Sequence, residues 1–432
     1  MISRPVYSAA LRLATPLILG RLLWRSRRAP AYRRRWSERF GYIDAVPGAP
    51  IWLHAVSVGE TLAAAPLVRG LLKRFPDIPL LITSTTPTGS ERVRALFGER
   101  VHHCYAPYDT PGAVRRFFDR VRPRLGLIME TEIWPNMLAE ADRRGIPTLL
   151  ANARLSERSA AGYARVPRLS REALSHLTLL AVQDNADAAR FRKLGAPAHR
   201  VRVTGSIKFD QTIPPEMEAE GRRLRERLGT ARPVWAAAST HDGEEAAALQ
   251  VHARLRQQRP NAALILVPRH PERFDAVADA ARRAGFSVAR RTHGASADFS
   301  ADVYLGDTMG ELPMFLAAAD VVFMGGSLVP VGGHNPLEPA GLAKPVLIGP
   351  HVFNFSQVVA LLERAHALKR ISDVDALATE VIELFEDADR RRGMGTAGRT
   401  VVDANRGACD RVLAAVAEYL PATSAVADSG EH

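Results

Sequence analysis

A chain of 432 residues with 58 Lys and Arg against 46 Asp and Glu carries a net charge of +12, and its length exceeds one ordinary core and favours two domains. Hydrophobic residues make up 47%, with 31 Gly and 29 Pro, which excludes a disordered or fibrous chain and fits a globular α/β protein. The two cysteines, Cys104 and Cys409, offer neither a disulfide framework nor a metal-binding spacing, and so point to a reducing compartment.

The charge is not spread evenly. Residues 1–40 hold ten arginines against one acid, Glu38, so this segment carries +9 and leaves 12 − 9 = +3 for the rest. That excludes a nucleic-acid groove running over the whole molecule, and no nucleic-acid partner is expected. The same segment is apolar between its arginines, but only Leu13 to Gly20 is an uninterrupted uncharged stretch after Arg12 and before Arg21. A spanning helix needs about 20 apolar residues. Residues 1–40 therefore read as a basic membrane-anchoring segment lying in or dipping into a bilayer. Trp24, Tyr32 and Trp36 would sit at the headgroups and the arginines on anionic lipid. A helix packed on the protein's own surface is the alternative. No small-residue cleavage site follows, and the positive flank keeps the body cytoplasmic.

From residue 41 apolar strands alternate with helical patterns. Strands are expected at 51–57, 79–86, 101–106, 125–131, 147–152, 177–183 and 201–207 in a first domain, residues 41–211. A polar linker covers 212–232. A second domain, 233–420, resumes with strands at 234–240, 262–268, 287–291, 302–306, 320–325 and 345–349, and ends on helical patterns around 373–388 and 403–420. Residues 421–432 read as a flexible tail. The expected fold class is α/β with parallel sheets, as two Rossmann-like domains facing a cleft. An internal echo supports two similar halves: "IWLHAVSVGETLAAAP" opens one and "VWAAASTHDGEEAAAL" the other. Pro66, inside the first helix, is expected to kink it unless it still lies in the first turn.

Ligands of such sheets bind at the strand C-termini. Glu60, just past the first strand, is either a helix-start acid or a reactive carboxylate. Glu130 and Glu132 end a buried strand two residues apart, hence on one face, and need nearby cations; Lys208, Arg154 and Arg158 are candidates. In the second half, "MGGSLVPVGGHNPLEPAGLAKPVLIGP" (324–350) ends a strand on Gly325-Gly326 and adds Gly332-Gly333. A helix follows near Asn335 and Pro336, with Glu338 in its first turn. Glycine pairs let backbone N–H groups approach a ligand, and a helix N-terminus attracts anions. Arg269, after Pro268, and Met309-Gly310-Glu311 fall at the same sheet edge. The histidines, His54 and His334 included, show no metal spacing. The acidic triplets 373–375 and 387–389 lie in the C-terminal helical region and read as solvated, so no metal or other cofactor is expected.

Together "HAVSVGE", "METEIWPN", "NARLSERS", "GSIKFD", "VPRHPERF", "GDTMGEL" and "GGSLVPVGGHNPLEPA" resemble the 3-deoxy-D-manno-octulosonic acid (Kdo) transferases of lipopolysaccharide assembly, over nearly the whole chain. The resemblance implies a GT-B fold, with the first domain receiving a lipid A precursor and the second the donor CMP-Kdo. It implies Glu60 as proton acceptor and Glu130 and Lys208 as stabilisers of the transition state. Pro268, Arg269, Met309, Gly310, Glu311, Asn335, Pro336, Leu337 and Glu338 would line the CMP site. It further implies metal-independent transfer at the cytoplasmic face of a bacterial inner membrane. The rivals are another GT-B enzyme, such as a uridine-sugar epimerase, and a non-catalytic membrane-bound nucleotide-binding protein.

Overall fold

The structure, a computed structural model, describes residues 2–27, 29–211 and 213–420. It divides into two compact units, the first running to Asp210 and resuming at Arg406, the second spanning Gln211–Asn405.

The first unit is built on seven strands: β1 (Ile51–His54), β2 (Leu80–Ser84), β3 (His102–Tyr105), β4 (Leu125–Met129), β5 (Thr148–Ala153), β6 (Leu179–Val182) and β7 (Val201–Val203). They lie in the order β3-β2-β1-β4-β5-β6-β7, all pairings parallel. β1, β4, β5 and β6 are buried along their whole length, as strands covered by helices on both faces must be. One face carries Leu53, Leu127 and Leu149, the other Trp52, Ile128 and Leu150, the alternation of a pleated strand.

The second unit repeats the plan with β8 (Val234–Thr240), β9 (Ala263–Pro268), β10 (Val288–Arg290), β11 (Val303–Leu305), β12 (Val321–Met324), β13 (Val346–Ile348) and β14 (Leu368–Arg370). Their order is β10-β11-β9-β8-β12-β13-β14, again parallel. In each sheet the strand order reverses beside the first strand, between β1 and β4 and between β8 and β12. Such switch points leave a crevice at the strand C-termini.

Two expectations need correction. The stretch expected as a linker is mostly a helix, Pro215–Leu228, lodged against the helix Leu312–Ala318. A side chain at Gly221 would meet Ala317 and the Met314 carbonyl, so glycine permits this close crossing. Thr212 lies outside the described residues, as does the expected tail, 421–432. The C-terminal helix Ala408–Tyr419 belongs to the first unit rather than the second. Val412, Leu413 and Val416 pack with Leu67, Val68 and Leu71 of the helix Val58–Arg74. The Asp210 carboxylate accepts the Gly407 and Cys409 amides at 2.6 and 2.5 Å, pinning the start of the returning helix. Pro66 lies in the third turn of the helix Val58–Arg74, past the first turn in which a proline displaces no intrahelical hydrogen bond.

Candidate functional site

In the first unit the chain leaves β1 at His54 and enters the next helix with Ser57 as N-cap. Ser57 Oγ accepts the Glu60 amide at 3.2 Å, and Glu60 Oε2 accepts the Val56 amide at 2.8 Å. This reciprocal arrangement resembles a capping box. It leaves the carboxyl half-buried beside two others: burial first, then Glu132 and Glu130, raise its pKa to about 7 despite the Val56 hydrogen bond.

Glu130 follows β4, the neighbour of β1 across the switch point. Its φ of +57° breaks the two-residue alternation of a strand, so Glu130 and Glu132 do not share a face by strand geometry. The nearly buried Glu130 takes Arg154 Nε at 2.7 Å, whereas Glu132 accepts Trp134 Nε1 at 2.7 Å. The second cation is Lys208, on the 3-10 turn Ile207–Asp210. That turn is fixed by the Ile207 amide, which donates to Asn152 Oδ1 at 3.1 Å. Burial lowers the Lys208 pKa, Glu130 opposes that and Arg154 adds to it. Glu130, Arg154 and Lys208 therefore form one charge cluster, next to Glu60. Arg158 is exposed on the helix Glu157–Ala164.

His54, inside the first motif, is fully buried. Its Nδ1 lies 2.9 Å from Thr83 Oγ1, and its ring meets Trp134 edge-on. Burial lowers its pKa to about 4, so at neutral pH it packs as an uncharged ring.

In the second unit the glycine-rich loop folds differently from the reading of its sequence. The amides of Gly326, Ser327 and Leu328 donate to the Glu244 carboxylate at 2.7, 3.0 and 2.9 Å, and His241 adds a fourth at 2.9 Å. Gly333 and His334 donate to the carbonyls of Gly326 and Gly325. These N–H groups face a buried side chain and the loop itself, not a ligand. Glycine is needed for close approach: a Cβ at Gly325 would lie 2.6 Å from the Ser239 carbonyl oxygen. The expected helix N-terminus is also slight. The helix Leu337–Gly341 has five residues, too few for a sizeable dipole.

The remaining expected residues converge on the same strand edge. Asn335 Oδ1 accepts the Leu337 amide at 3.1 Å, and its Nδ2 donates to Glu338 Oε1 at 3.2 Å. Burial raises the Glu338 pKa, and the Asn335 bond lowers it in part. Pro336 and Leu337 are buried. Pro268 ends β9, and the Arg269 amide donates to the Thr240 carbonyl at 2.9 Å, tying the turn after β9 to the end of β8. Met309 is exposed and Gly310 has a φ of +86°. Glu311 is held by Arg291 at 2.8 Å, and this pairing first of all lowers its pKa.

Sequence reasoning missed a group here. His241 and His334 stack at 5.1 Å with Nε2 atoms 2.9 Å apart, and His270 meets His241 edge-on. Burial lowers both the His241 and His334 pKa values, with Arg269 contributing. Their sequence positions are far apart, and only the edge position of "STHDGEE" hinted at them. No cluster of three or more His, Cys, Asp or Glu suited to a metal occurs among the described residues. Asp373 and Asp387 instead accept backbone amides at helix starts, from Ala376 and Arg390.

Residues 34–211 match the family model of 3-deoxy-D-manno-octulosonic-acid transferase (kdotransferase). A 3-deoxy-D-manno-octulosonic acid transferase of Haemophilus influenzae is 41% identical over 96% of this chain and 98% of its own length. One of Bordetella pertussis is 41% identical over 96% and 99%. Among solved structures, a UDP-GlcNAc 2-epimerase from Neisseria meningitidis covers 85% of this chain and 100% of its own, at a TM-score of 0.57 and 13% identity. That likeness shows the fold alone, which is of the GT-B type. An identity of 41% sustained from end to end is a different matter, and by it this chain belongs to the family of 3-deoxy-D-manno-octulosonic acid transferases.

Proposed function

We propose that this Kdo transferase moves Kdo from CMP-Kdo to a lipid A precursor at the cytoplasmic face of a bacterial inner membrane, with Glu60 as general base. The observation that carries the reading is the half-buried Glu60 at the switch point, its pKa raised to about 7 beside Glu130 and Glu132. A base poised near the working pH is what proton abstraction from a hydroxyl requires. As the acceptor oxygen attacks the ketose carbon, its proton passes to Glu60, and the bond from that carbon to the phosphate oxygen breaks. CMP departs with the electron pair. One base and no covalent intermediate imply inversion at the sugar.

The first unit would supply the base, with Lys208 and Arg154 offsetting the negative charge of Glu130 and the substrate. The second unit would hold CMP through Arg269, the turn Met309–Glu311 and the segment Asn335–Glu338. A single leaving phosphate with cations to hand needs no divalent ion. Purified protein given CMP-Kdo, lipid A precursor and a chelator should yield acceptor heavier by one or more Kdo residues. Absence of any product by mass spectrometry, at any metal concentration, would sink the proposal. An epimerase reading predicts uridine-nucleotide binding in preference to cytidine, which calorimetry with CMP and UMP separates.

Arg269→Ala should weaken CMP binding about tenfold to a hundredfold, the worth of a charge-assisted hydrogen bond of roughly 1.5–3 kcal/mol, and leave acceptor affinity unchanged. Glu338→Ala should act in the same direction, since the Glu338 carboxylate would accept hydrogen bonds from the ribose hydroxyls of CMP. Calorimetric CMP affinity equal to the parent protein in both variants would move the nucleotide to another edge.

A further inference from the structure

The N-terminal helix Arg4–Ser26, 23 residues, is long and apolar enough by composition to cross a membrane, yet it is tied to the first unit at both ends. At its start Tyr7 Oη donates to Asp109 Oδ2 at 3.0 Å, and Ser8 Oγ donates to Asn136 Oδ1 at 2.9 Å. Arg4 pairs with Glu172 at 3.0 Å. At its end Ser26 Oγ accepts Arg33 Nε at 2.9 Å. Two residues on, Arg35 donates to Ser90 Oγ and to the His103 carbonyl at 3.2 and 3.1 Å. The ends of the helix lie about 33 Å apart; the first is held directly by the folded unit, and the second through the segment that follows it, by way of Arg33 and then Arg35.

Most of the large exposed apolar residues of this helix form one line, and Leu23, 49% exposed, stands between that line and Arg12. Val6, Leu13, Leu17 and Trp24, 55–81% exposed, follow one another at intervals of seven, four and seven, a single line along a helix. Ser8, Leu22 and Ser26, the buried residues, lie on the opposite side. Exposed Arg12 flanks the line on one side, and Arg21 and Arg25 on the other. A spanning helix is apolar all round; one apolar stripe bordered by arginines fits the boundary between headgroups and acyl chains. The tethers also fix what lies nearby. Asp109 accepts the amides of Asn136 and Met137 at 3.0 and 2.7 Å, and so caps the helix Pro135–Arg143. That helix begins just after the loop carrying Glu130 and Glu132.

We infer that this helix lies in the plane of one leaflet of an anionic phospholipid bilayer and does not cross it, held at both ends to the first unit. The bilayer surface is thereby brought to the strand edge that carries Glu130. The inference rests on the membrane reading proposed above and adds the helix orientation to it. A helix crossing with its first turn on the far side would carry Ser8 about 27 Å from the level of Ser26, and the Tyr7 and Ser8 contacts would be lost.

The test uses the full chain on vesicles of phosphatidylethanolamine and phosphatidylglycerol. In the double variant Ser8→Cys with Asn136→Cys, oxidation should form the disulfide as completely on vesicles as in detergent. The cross-linked enzyme should float with the vesicles and still transfer Kdo. A disulfide that forms in detergent but not on vesicles, or that releases the enzyme from them, would overturn the inference. Should that variant fail to fold, Leu17→Cys keeps every tether and carries a polarity-sensitive dye. Spin labels near the top of the acyl chain should quench it at least twofold more than labels at the chain end; the reverse order places Leu17 at mid-bilayer and overturns the inference. Failure of the unmodified chain to float sinks the membrane reading itself, and the inference with it. A floating chain with deep Leu17 sinks the inference alone.

Discussion

Glu60→Gln is expected to lower Kdo transfer by about 10²–10⁴-fold, the usual consequence of removing a general base. Gln keeps the size of the side chain and can still accept the Val56 amide that Glu60 accepts at 2.8 Å. The helix start should therefore stay closed, with melting temperature and CMP affinity near those of the parent. The pH profile gives an independent readout. The base acts only when ionised, and burial together with Glu132 and Glu130 holds Glu60 at a pKa of about 7. The rate of the parent enzyme should fall tenfold per pH unit well below that value and level off above it. Acid weakens the reaction by protonating Glu60, and Glu60→Gln should show no such limb in its residual rate. A capping role alone predicts the opposite pattern, a stability loss of a few tenths to about 1 kcal/mol with turnover kept. Were Glu60→Gln to turn over normally, Glu130 would be the next candidate for the base.

Much of this arrangement was legible in the sequence because it is local. The thirteen expected strands all form; most are apolar runs closed by Gly, Pro or polar residues, while the edge strands β3 and β7 also carry polar residues. β14 was missed, since Leu368-Lys369-Arg370 has a single apolar residue, whereas the equally exposed edge strand β7 has valine at both ends. Glu130 and Arg269 could be placed at strand ends because each directly follows its strand, and Glu60 because it lies in the first turn of the helix after β1. What escaped is contact between distant residues. Nothing in "GGSLVPVGG" announces that three of its amides are claimed by Glu244, more than 80 positions away. The return of the helix Ala408–Tyr419 to the first unit is likewise set by Asp210 and by apolar surface on the helix Val58–Arg74, neither of which is marked along the chain.

Glu244→Ala should destabilise the second unit by about 4 kcal/mol, the range reached when a buried hydrogen-bond network is broken. The side chain is 1% exposed and accepts four backbone amides, from His241, Gly326, Ser327 and Leu328. Alanine leaves all four donors in a space closed to water. A unit of roughly this size loses about 2–4 °C of melting temperature per kcal/mol, so the transition of the second unit should fall by about 8–16 °C. Amide exchange would locate the loss: protection should collapse first at Gly326–Leu328 and at the end of β8. Glu244→Gln should recover only part, because its one carbonyl oxygen accepts fewer amides and its NH₂ group opposes the others. CMP affinity should fall with the loop, since His334 and Asn335 follow directly from it. The two glutamates of the internal echo thus separate by environment. Each accepts an amide from its own turn, at 2.8 Å for Glu60 and 2.9 Å for Glu244. Glu244 is then saturated by a loop from β12, while Glu60 is left half-buried, where burial first and then Glu132 and Glu130 raise its pKa. If Glu244→Ala melted and bound CMP like the parent enzyme, the loop would be held by its own backbone and that distinction would fail. If it kept its stability but lost transfer, Glu244 rather than Glu60 would have to be considered the reactive acid of the pair.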